Sequence, residues 1–231
     1  MNSLHISQIY DACAQTYDDS PLGGKNAVQH SVFKRFLSFL CPGSKVLDLG
    51  CGPGINASFL LETDILCKVT GVDISKGMIR RARETVPKAS FFCRDILTIH
   101  LPEDAYDAVV VASVIFHLHP SELASLIRLI ANALRPDGLL FVNFWSGEYS
   151  GFKSLDFTDR PMMVYYHDDS FLSHLMHRYS FGSLSLKKYR RELETSAGPE
   201  TVTEVSYIGH SLKDKKVRNL IRSDAMYPFV Y

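Results

Sequence analysis

Residues Val46 to Gly54 read VLDLGCGPG, and no other stretch of the chain narrows its fold so sharply. The apolar run of Val46, Leu47 and Leu49 reads as the end of a buried strand, interrupted by one acid, Asp48. Gly50, Gly52 and Gly54 follow at alternate positions. Glycine adopts positive φ without a Cβ penalty and lets a ligand approach the backbone closely. Ile55 to Glu62 then suit a helix, whose first free N–H groups form a partial positive site. Strand, glycine turn and helix together predict a cofactor cradle within an α/β fold.

The spacing and the acid decide between ligands. A dinucleotide fingerprint is GxGxxG, whereas here Ile55 stands where the third glycine would be. A carboxylate at Asp48 would repel a pyrophosphate but suits an ammonium or sulfonium. S-adenosylmethionine (SAM) carries both, with a carboxylate that a helix N-terminus can receive. In these residues the chain resembles the class I SAM-dependent methyltransferases, specifically the small single-domain ones.

The resemblance continues in order along the chain. Lys68 to Asp73 (KVTGVD) reads as a second strand ending in an acid. Asp73-Ile74-Ser75-Lys76-Gly77-Met78 resembles the family's D-x-S-x-x-M segment. There Asp73 would take the ribose hydroxyls, with Ile74 and Met78 near the adenine. Phe91 to Ile96 resembles the third strand, placing Asp95 to accept from the adenine amino group and Ile96 beside the ring. Tyr106 to Leu118 resembles the fourth strand and its outgoing loop, and Leu134 to Asn143 the turn into the fifth strand. The cofactor set implied is Tyr17, Asp48, Gly50, Cys51, Gly52, Gly54, Asp73, Ile74, Met78, Asp95, Ile96 and Ala112. The resemblance spans residues 6–212. It implies a Rossmann-like, seven-stranded, mostly parallel sheet with a C-terminal antiparallel hairpin and N-terminal lid helices. The expected division is 1–44 for the lid, 45–212 for the core and 213–231 for a basic tail, in one domain overall.

Bulk properties remove several alternatives. At 231 residues the chain is one ordinary α/β domain. With 25 basic and 25 acidic residues it has no global field for nucleic acid. No apolar run approaches the ~20 residues of a membrane helix. The N-terminal MNSLHISQIYDAC lacks a positive-then-apolar signal pattern, so a cytoplasmic location is expected. Cys13, Cys41, Cys51, Cys67 and Cys93 lack CxxC spacing, which favours reduced thiols and argues against zinc. No metal is expected. Cys51 reads mainly as a small residue filling a tight turn.

Leu4 to Thr16 and Asn26 to Leu40 are expected as two helices. In the second, Val28, Val32, Phe33, Phe36, Leu37 and Leu40 share a face. Pro120 to Leu134 is a further helix with a stripe of Leu123, Leu126, Ile127 and Ile130. Ser146 to His167 reads as a long connection, and Asp168 to Tyr179 as a helix capped by Asp168 or Asp169. Gly182 to Glu192 and Thr201 to Ser211 read as two strands joined by a turn containing Gly198-Pro199. Lys213 to Arg222 reads as a basic helix with Val217, Leu220 and Ile221 on its buried side.

Methyl transfer asks the protein to align the acceptor, exclude water and, for a hydroxyl or ammonium, help remove a proton. His117 is the candidate base. It follows the fourth strand at the carboxyl end of the sheet, where α/β ligands bind, and its ordinary pKa suits the task. His119, beside Pro120, reads as structural. Tyr10-Asp11 and Tyr17-Asp18 resemble the Y-D-x-x-A-x-x-Y-D segment of small-molecule methyltransferases. There it forms a lid, and Tyr17 would approach the methyl donor. Trp145, Tyr149, Phe152, Tyr165 and Tyr166 would make the acceptor side aromatic. The substrate set is Tyr17, His117, Trp145, Tyr149, Tyr166 and His167.

Three functions fit these residues. The leading one is methyl transfer from SAM to O, N or C of a small molecule. Ala112-Ser113-Val114-Ile115 stands where an N-P-P-Y-like tetrapeptide would mark amino groups of bases or glutamine. The second is a macromolecular methyltransferase docking through the tail or Lys187 to Arg191, with a protein partner favoured over nucleic acid. The third is a SAM-binding protein that does not methylate, such as a sensor, a partner subunit or a repurposed cyclase.

Overall fold

The computed structural model describes residues 3–17, 27–63, 65–195 and 197–213, with the backbone alone for 27–30. The described chain opens with α1 (Ser3–Cys13) and α2 (Ala27–Leu37). An alternating stretch follows: β1 (Lys45–Leu49), α3 (Ile55–Leu61), β2 (Lys68–Asp73), α4 (Lys76–Thr85), β3 (Ser90–Cys93) and β4 (Tyr106–Val111). A 3-10 turn at Ile115–His117 leads to α5 (Pro120–Ala133) and β5 (Leu134–Ser146). The remainder comprises β6 (Ser150–Lys153), β7 (Met162–Tyr165), α6 (Asp169–Arg178), β8 (Phe181–Thr195) and β9 (Gly198–Ser211).

Seven strands form one sheet in the order β3-β2-β1-β4-β5-β9-β8. The first five are mutually parallel, and β9 runs antiparallel to both of its neighbours. This is the expected mixed sheet with its C-terminal hairpin. Chain order reverses between β1 and β4, and such a switch point opens a crevice beyond the strands' carboxyl ends.

Both faces of the sheet are covered, as parallel strands require. Alternate residues divide between the faces. Leu47, Val109, Leu140 and Val142 join the α5 stripe of Leu123, Leu126, Ile127 and Ile130. Val46, Ala108, Val110 and Phe141 join Val32, Phe33 and Phe36 of α2 on the other side. Thus α2 is a core helix and not part of a lid, because its bulky aromatic residues find their burial against Phe141. Of the two described helices ahead of β1, α1 lines the cleft and α2 does not.

Two regions differ from their sequence reading. The connection after β5 contains a two-stranded sheet, β6 with β7. The C-terminal strands are longer than expected, with Thr195 paired to Gly198 and Pro199 paired to Glu194. Proline is tolerated there because β9 extends past β5, whose last partner is Thr203. Beyond Lys213, the expected basic helix lies outside the described residues. The α6 cap is as read: the Asp168 side chain accepts from the Phe171 amide. No described helix is long and apolar enough to cross a membrane.

Lys213 closes the described chain with a buried ammonium. It donates to Asp104 Oδ1 at 2.9 Å, to Asn132 O at 3.0 Å and to Leu134 O, satisfying carbonyls at the end of α5. Lys213→Met is expected to cost about 2 kcal/mol. That corresponds to a fall of roughly 4–8 °C in melting temperature, which calorimetry would check.

Candidate active site

A cleft of about 840 Å³, partly open to solvent, lies at the carboxyl ends of β1, β2 and β4. Gly50, Gly52, Asp73, Ile74 and Met78 line it from the glycine turn and the β2–α4 junction. Asp95 and Ile96 line it after β3, Ala112 and His117 after β4, and Tyr17 from the lid segment. Ten residues from distant parts of the sequence thus share one wall system.

Asp73 organises the floor. Its Oδ2 accepts from the Gly52 amide at 2.9 Å and its Oδ1 from the Ser75 amide at 2.8 Å. Burial raises its pKa, while the amides of Ser75, Gly52 and Ile74 oppose that rise. A carboxylate has about four acceptor sites, so capacity remains there for a ligand hydroxyl. Asp95 accepts from the Leu97 amide at 2.9 Å, which directs an acid toward the apolar slot made by Ile74, Met78, Ile96 and Leu97. Gly50 sits at φ +73, and a Cβ there would lie 2.2 Å from Val114 Cγ2. Only glycine fits where the turn after β1 meets the loop after β4.

Three expected cofactor residues lie behind these walls. Asp48 is fully buried, with Oδ1 3.4 Å from Asn56 Nδ2 and Oδ2 without a hydrogen-bond partner. Cys51 is buried under the turn, its thiol pKa pushed well up by burial and by the charges of Asp73 and Asp48. Gly54, at φ +92, opens α3. None of the three lines the cleft, because the β1 turn places their neighbours Gly50 and Gly52 between them and the free space.

The acceptor capacity left at Asp73 fits the ribose hydroxyls of an adenosyl group. Burial holds the Asp48 pKa up to about 7, with the Asn56 amide opposing. The unfolded value is near the ordinary 3.8. Asp48 therefore lends its stabilising contribution below about pH 4, and loses it as pH rises through 7. Asp48→Asn is expected to stabilise the unliganded protein by on the order of 2 kcal/mol at pH 8 and little at pH 4. Urea denaturation at the two pH values would read this difference.

The lid is fastened to the same helix that borders the floor. Asp11 Oδ1 accepts from Ser75 Oγ at 2.6 Å and from the Gly77 amide at 2.7 Å. A Cβ on Gly77 would come within 3.0 Å of Ala14 Cβ and 3.1 Å of the Asp11 backbone. Ser75 also caps α4 by accepting from the Met78 amide. Tyr10, one residue before Asp11, places its hydroxyl 2.7 Å from His117 Nε2. Tyr10, Tyr17 and Phe157 pack ring to ring at 5.0–5.8 Å. Burial drives the His117 pKa down to about 3, partly offset by the Met163 backbone, and raises the pKa of both Tyr10 and Tyr17.

The rest of the expected substrate set does not reach this cleft. Trp145 stacks on Phe116 with centroids 4.3 Å apart, in a separate apolar cluster. His167 is buried, and its Nε2 contacts Ile115 O at 2.8 Å. Both brace the 3-10 turn that carries His117 from behind. Tyr149 and Tyr166 flank the Lys153 ammonium, which pairs with Glu200, and Tyr166 also donates to Glu200. Their aromatic character was legible; the β6–β7 pairing that turns them away was not. His119 caps α5 with Glu122 in a capping box.

Ile6, Leu97, Ser113, Val114, Leu118 and Glu122, which no sequence motif marks as site residues, also line the cleft, as does Tyr10. The Y-D-x-x-A-x-x-Y-D pattern already contained the signal for Tyr10. Among the described residues, no group of three or more His, Cys, Asp or Glu could hold a metal ion.

Comparison with known proteins places this geometry. Residues 46–138 match the methyltransferase domain family model. A 2-methyl-6-phytyl-1,4-hydroquinone methyltransferase of Synechocystis sp. is 33% identical over 130 residues, covering 55% of this chain and 40% of that protein. A trans-aconitate 2-methyltransferase of Rhodopseudomonas palustris is 39% identical over 98 residues, covering 42% and 37% respectively. The chain thus spans about two fifths of the length of these curated relatives. A Burkholderia thailandensis 1,6-didemethyltoxoflavin-N1-methyltransferase, solved with S-adenosylhomocysteine, superposes with a TM-score of 0.67 at 16% identity. That superposition covers 91% of this chain and 87% of the other, and shows a shared fold. Residues 46–138 thus carry a methyltransferase domain, set within a seven-stranded sheet of the Rossmann-like methyltransferase fold.

Proposed function

We propose that this protein transfers a methyl group to a small-molecule acceptor bound beneath α1. The observation that carries this reading is the convergence of two walls on one cleft. Gly50, Gly52, Asp73 and Asp95 form a nucleoside-type wall, and Tyr10, Tyr17 and His117 form a second wall opposite. SAM, when bound, supplies a methyl group on a sulfonium, which is already activated toward a nucleophile. Gly50, Gly52, Asp73, Ile74, Met78, Asp95, Ile96 and Ala112 would hold it, with Asp48 lending negative charge from beneath.

The second wall orients the acceptor and excludes water, since α1 is anchored at Ser75 and Gly77. With both groups neutral, the Tyr10 hydroxyl donates to the His117 lone pair. The phenol oxygen then remains an acceptor for a proton arriving from the substrate. An imidazole with its pKa near 3 is a weak base, yet a weak base suffices here. An acceptor oxygen or nitrogen gains positive charge as its new C–O or C–N bond forms, and its proton becomes far more acidic. The relatives' names speak of a hydroquinone and of trans-aconitate, which supports small molecules as the substrate class.

The test is incubation with methyl-labelled SAM and a fractionated cell extract. Label entering the small-molecule fraction supports the reading. Label entering protein or nucleic acid supports docking through Lys187 to Arg191 or the tail instead. Binding of SAM without label anywhere supports a non-methylating binder.

A further inference from the structure

The wall that follows β4 depends on one unusual residue. Ser113 adopts φ +56, a left-handed conformation that a non-glycine residue holds only when its surroundings require it. Its amide donates to Asn143 Oδ1 at 2.6 Å. Asn143 is buried on β5, and its own Nδ2 donates to Glu204 Oε1 at 2.6 Å. Glu204, on β9, is 1% exposed. It also accepts from the Tyr189 hydroxyl at 2.7 Å and from Arg191 Nη1 at 2.9 Å.

We infer that this buried relay, Arg191 to Glu204 to Asn143, positions Ser113 and so sets the affinity of the cleft for its adenosyl ligand. The inference rests on the cofactor reading given above. Packing alone does not call for such a relay. A buried ion pair is commonly no more stable than apolar side chains of the same volume. What it fixes is an orientation. An asparagine amide can be flipped, and the flipped form would set its NH2 against the Ser113 N–H, donor to donor. The Glu204 carboxylate permits only the form in which Nδ2 faces it, so Oδ1 must face Ser113.

The left-handed residue then turns the chain so that Val114 fills the space that a Gly50 side chain would need. It also brings Ala112, Ser113 and His117 onto the cleft. The relay residues all lie outside the matched segment 46–138, so the hairpin β8–β9 governs a wall that the family segment builds. The Arg191 charge also reaches Tyr17, where it opposes the upward shift of the phenol pKa.

The experiment compares wild type, Asn143→Leu, the double variant Asn143→Asp/Glu204→Gln, and Lys213→Met as a control for destabilisation. Calorimetry gives the dissociation constant for S-adenosylhomocysteine, and amide hydrogen exchange by NMR is read at Ser113 without ligand. In Asn143→Leu, binding is expected to weaken roughly 10-fold and Ser113 exchange to accelerate by a similar factor. The double variant keeps a carboxylate oxygen facing Ser113 at unchanged net charge, and is expected to recover both to within about threefold. Lys213→Met lowers the melting temperature and leaves binding unchanged. If Asn143→Leu does not fold, the isosteric Glu204→Gln, which frees the Asn143 amide, carries the same comparison. Binding within about twofold of wild type in the folded variant overturns the inference. So does an equal loss in Lys213→Met. A wild type that binds no S-adenosylhomocysteine overturns the cofactor reading itself, and the relay's role with it.

Discussion

Asp73→Asn is expected to abolish the rise in melting temperature that SAM confers on this protein. At a ligand concentration of 100 times its dissociation constant, binding stabilises the folded state by about 2.7 kcal/mol. For a chain of this size that is roughly 5–10 °C. Asparagine keeps one acceptor oxygen and has no charge, so it can serve the Gly52 or the Ser75 amide but leaves little for a diol. Losing two hydrogen bonds to a charged group costs about 3–6 kcal/mol of binding, which removes the shift at that ligand concentration. The substituted protein should fold, since a neutral amide is easier to bury than the carboxylate whose pKa burial has raised. Differential scanning calorimetry with and without SAM makes the comparison, and an undiminished shift would refute the assignment of Asp73 to the ribose.

His117→Ala is expected to lower turnover about 100-fold while leaving S-adenosylhomocysteine affinity within about twofold. Tyr10→Phe should fall by a similar factor, and the double variant should fall little further, because the 2.7 Å contact makes the two side chains one unit. Turnover measured on the acceptor found by labelling would separate this from independent roles, in which the two losses would multiply. With its folded pKa near 3 and its ordinary value at 6.5, His117 stays neutral from pH 5 to 8. Its ionisation therefore contributes no step to the pH profile in that range. The stability sign is opposite to that of Asp48. The unfolded chain takes up a proton at His117 below about pH 6.5 that the folded chain refuses until about pH 3. Stability attributable to this residue is complete above 6.5 and is lost as pH falls toward 3. His117→Phe should flatten that acid limb in urea titrations.

Much of the nucleoside wall was legible because it is local. Gly50 and Gly52 are set by the turn after β1, and Asp73, Ile74 and Met78 by one strand–helix junction. Such features depend on spacing within a few residues, and spacing is what a sequence displays. Asp48 and Cys51 show where that logic ends. They occupy the same motif as Gly50, yet the alternation of the strand and the turn buries them behind it. The acceptor side was less legible. Trp145, Tyr166 and His167 had suitable chemistry, but the fold sets Trp145 and His167 behind the 3-10 turn and Tyr166 against Lys153 and Glu200. Tyr10 was within a recognised pattern, and only the docking of α1 on α4 shows that its hydroxyl meets His117.

By itself, the sequence determined the alternating α/β order, the glycine turn between β1 and α3, and the acids that end β2 and follow β3. Each of these follows from short-range periodicity and from residue types whose backbone preferences are strong. Tertiary structure alone decided which aromatic residues brace the turn that carries His117. It also decided that a left-handed Ser113 is held by Asn143 and Glu204, from strands far along the chain. Those outcomes depend on contacts between residues 30 and 61 positions apart, whose partners no local pattern specifies, and whose energies exist only once the sheet has brought them together.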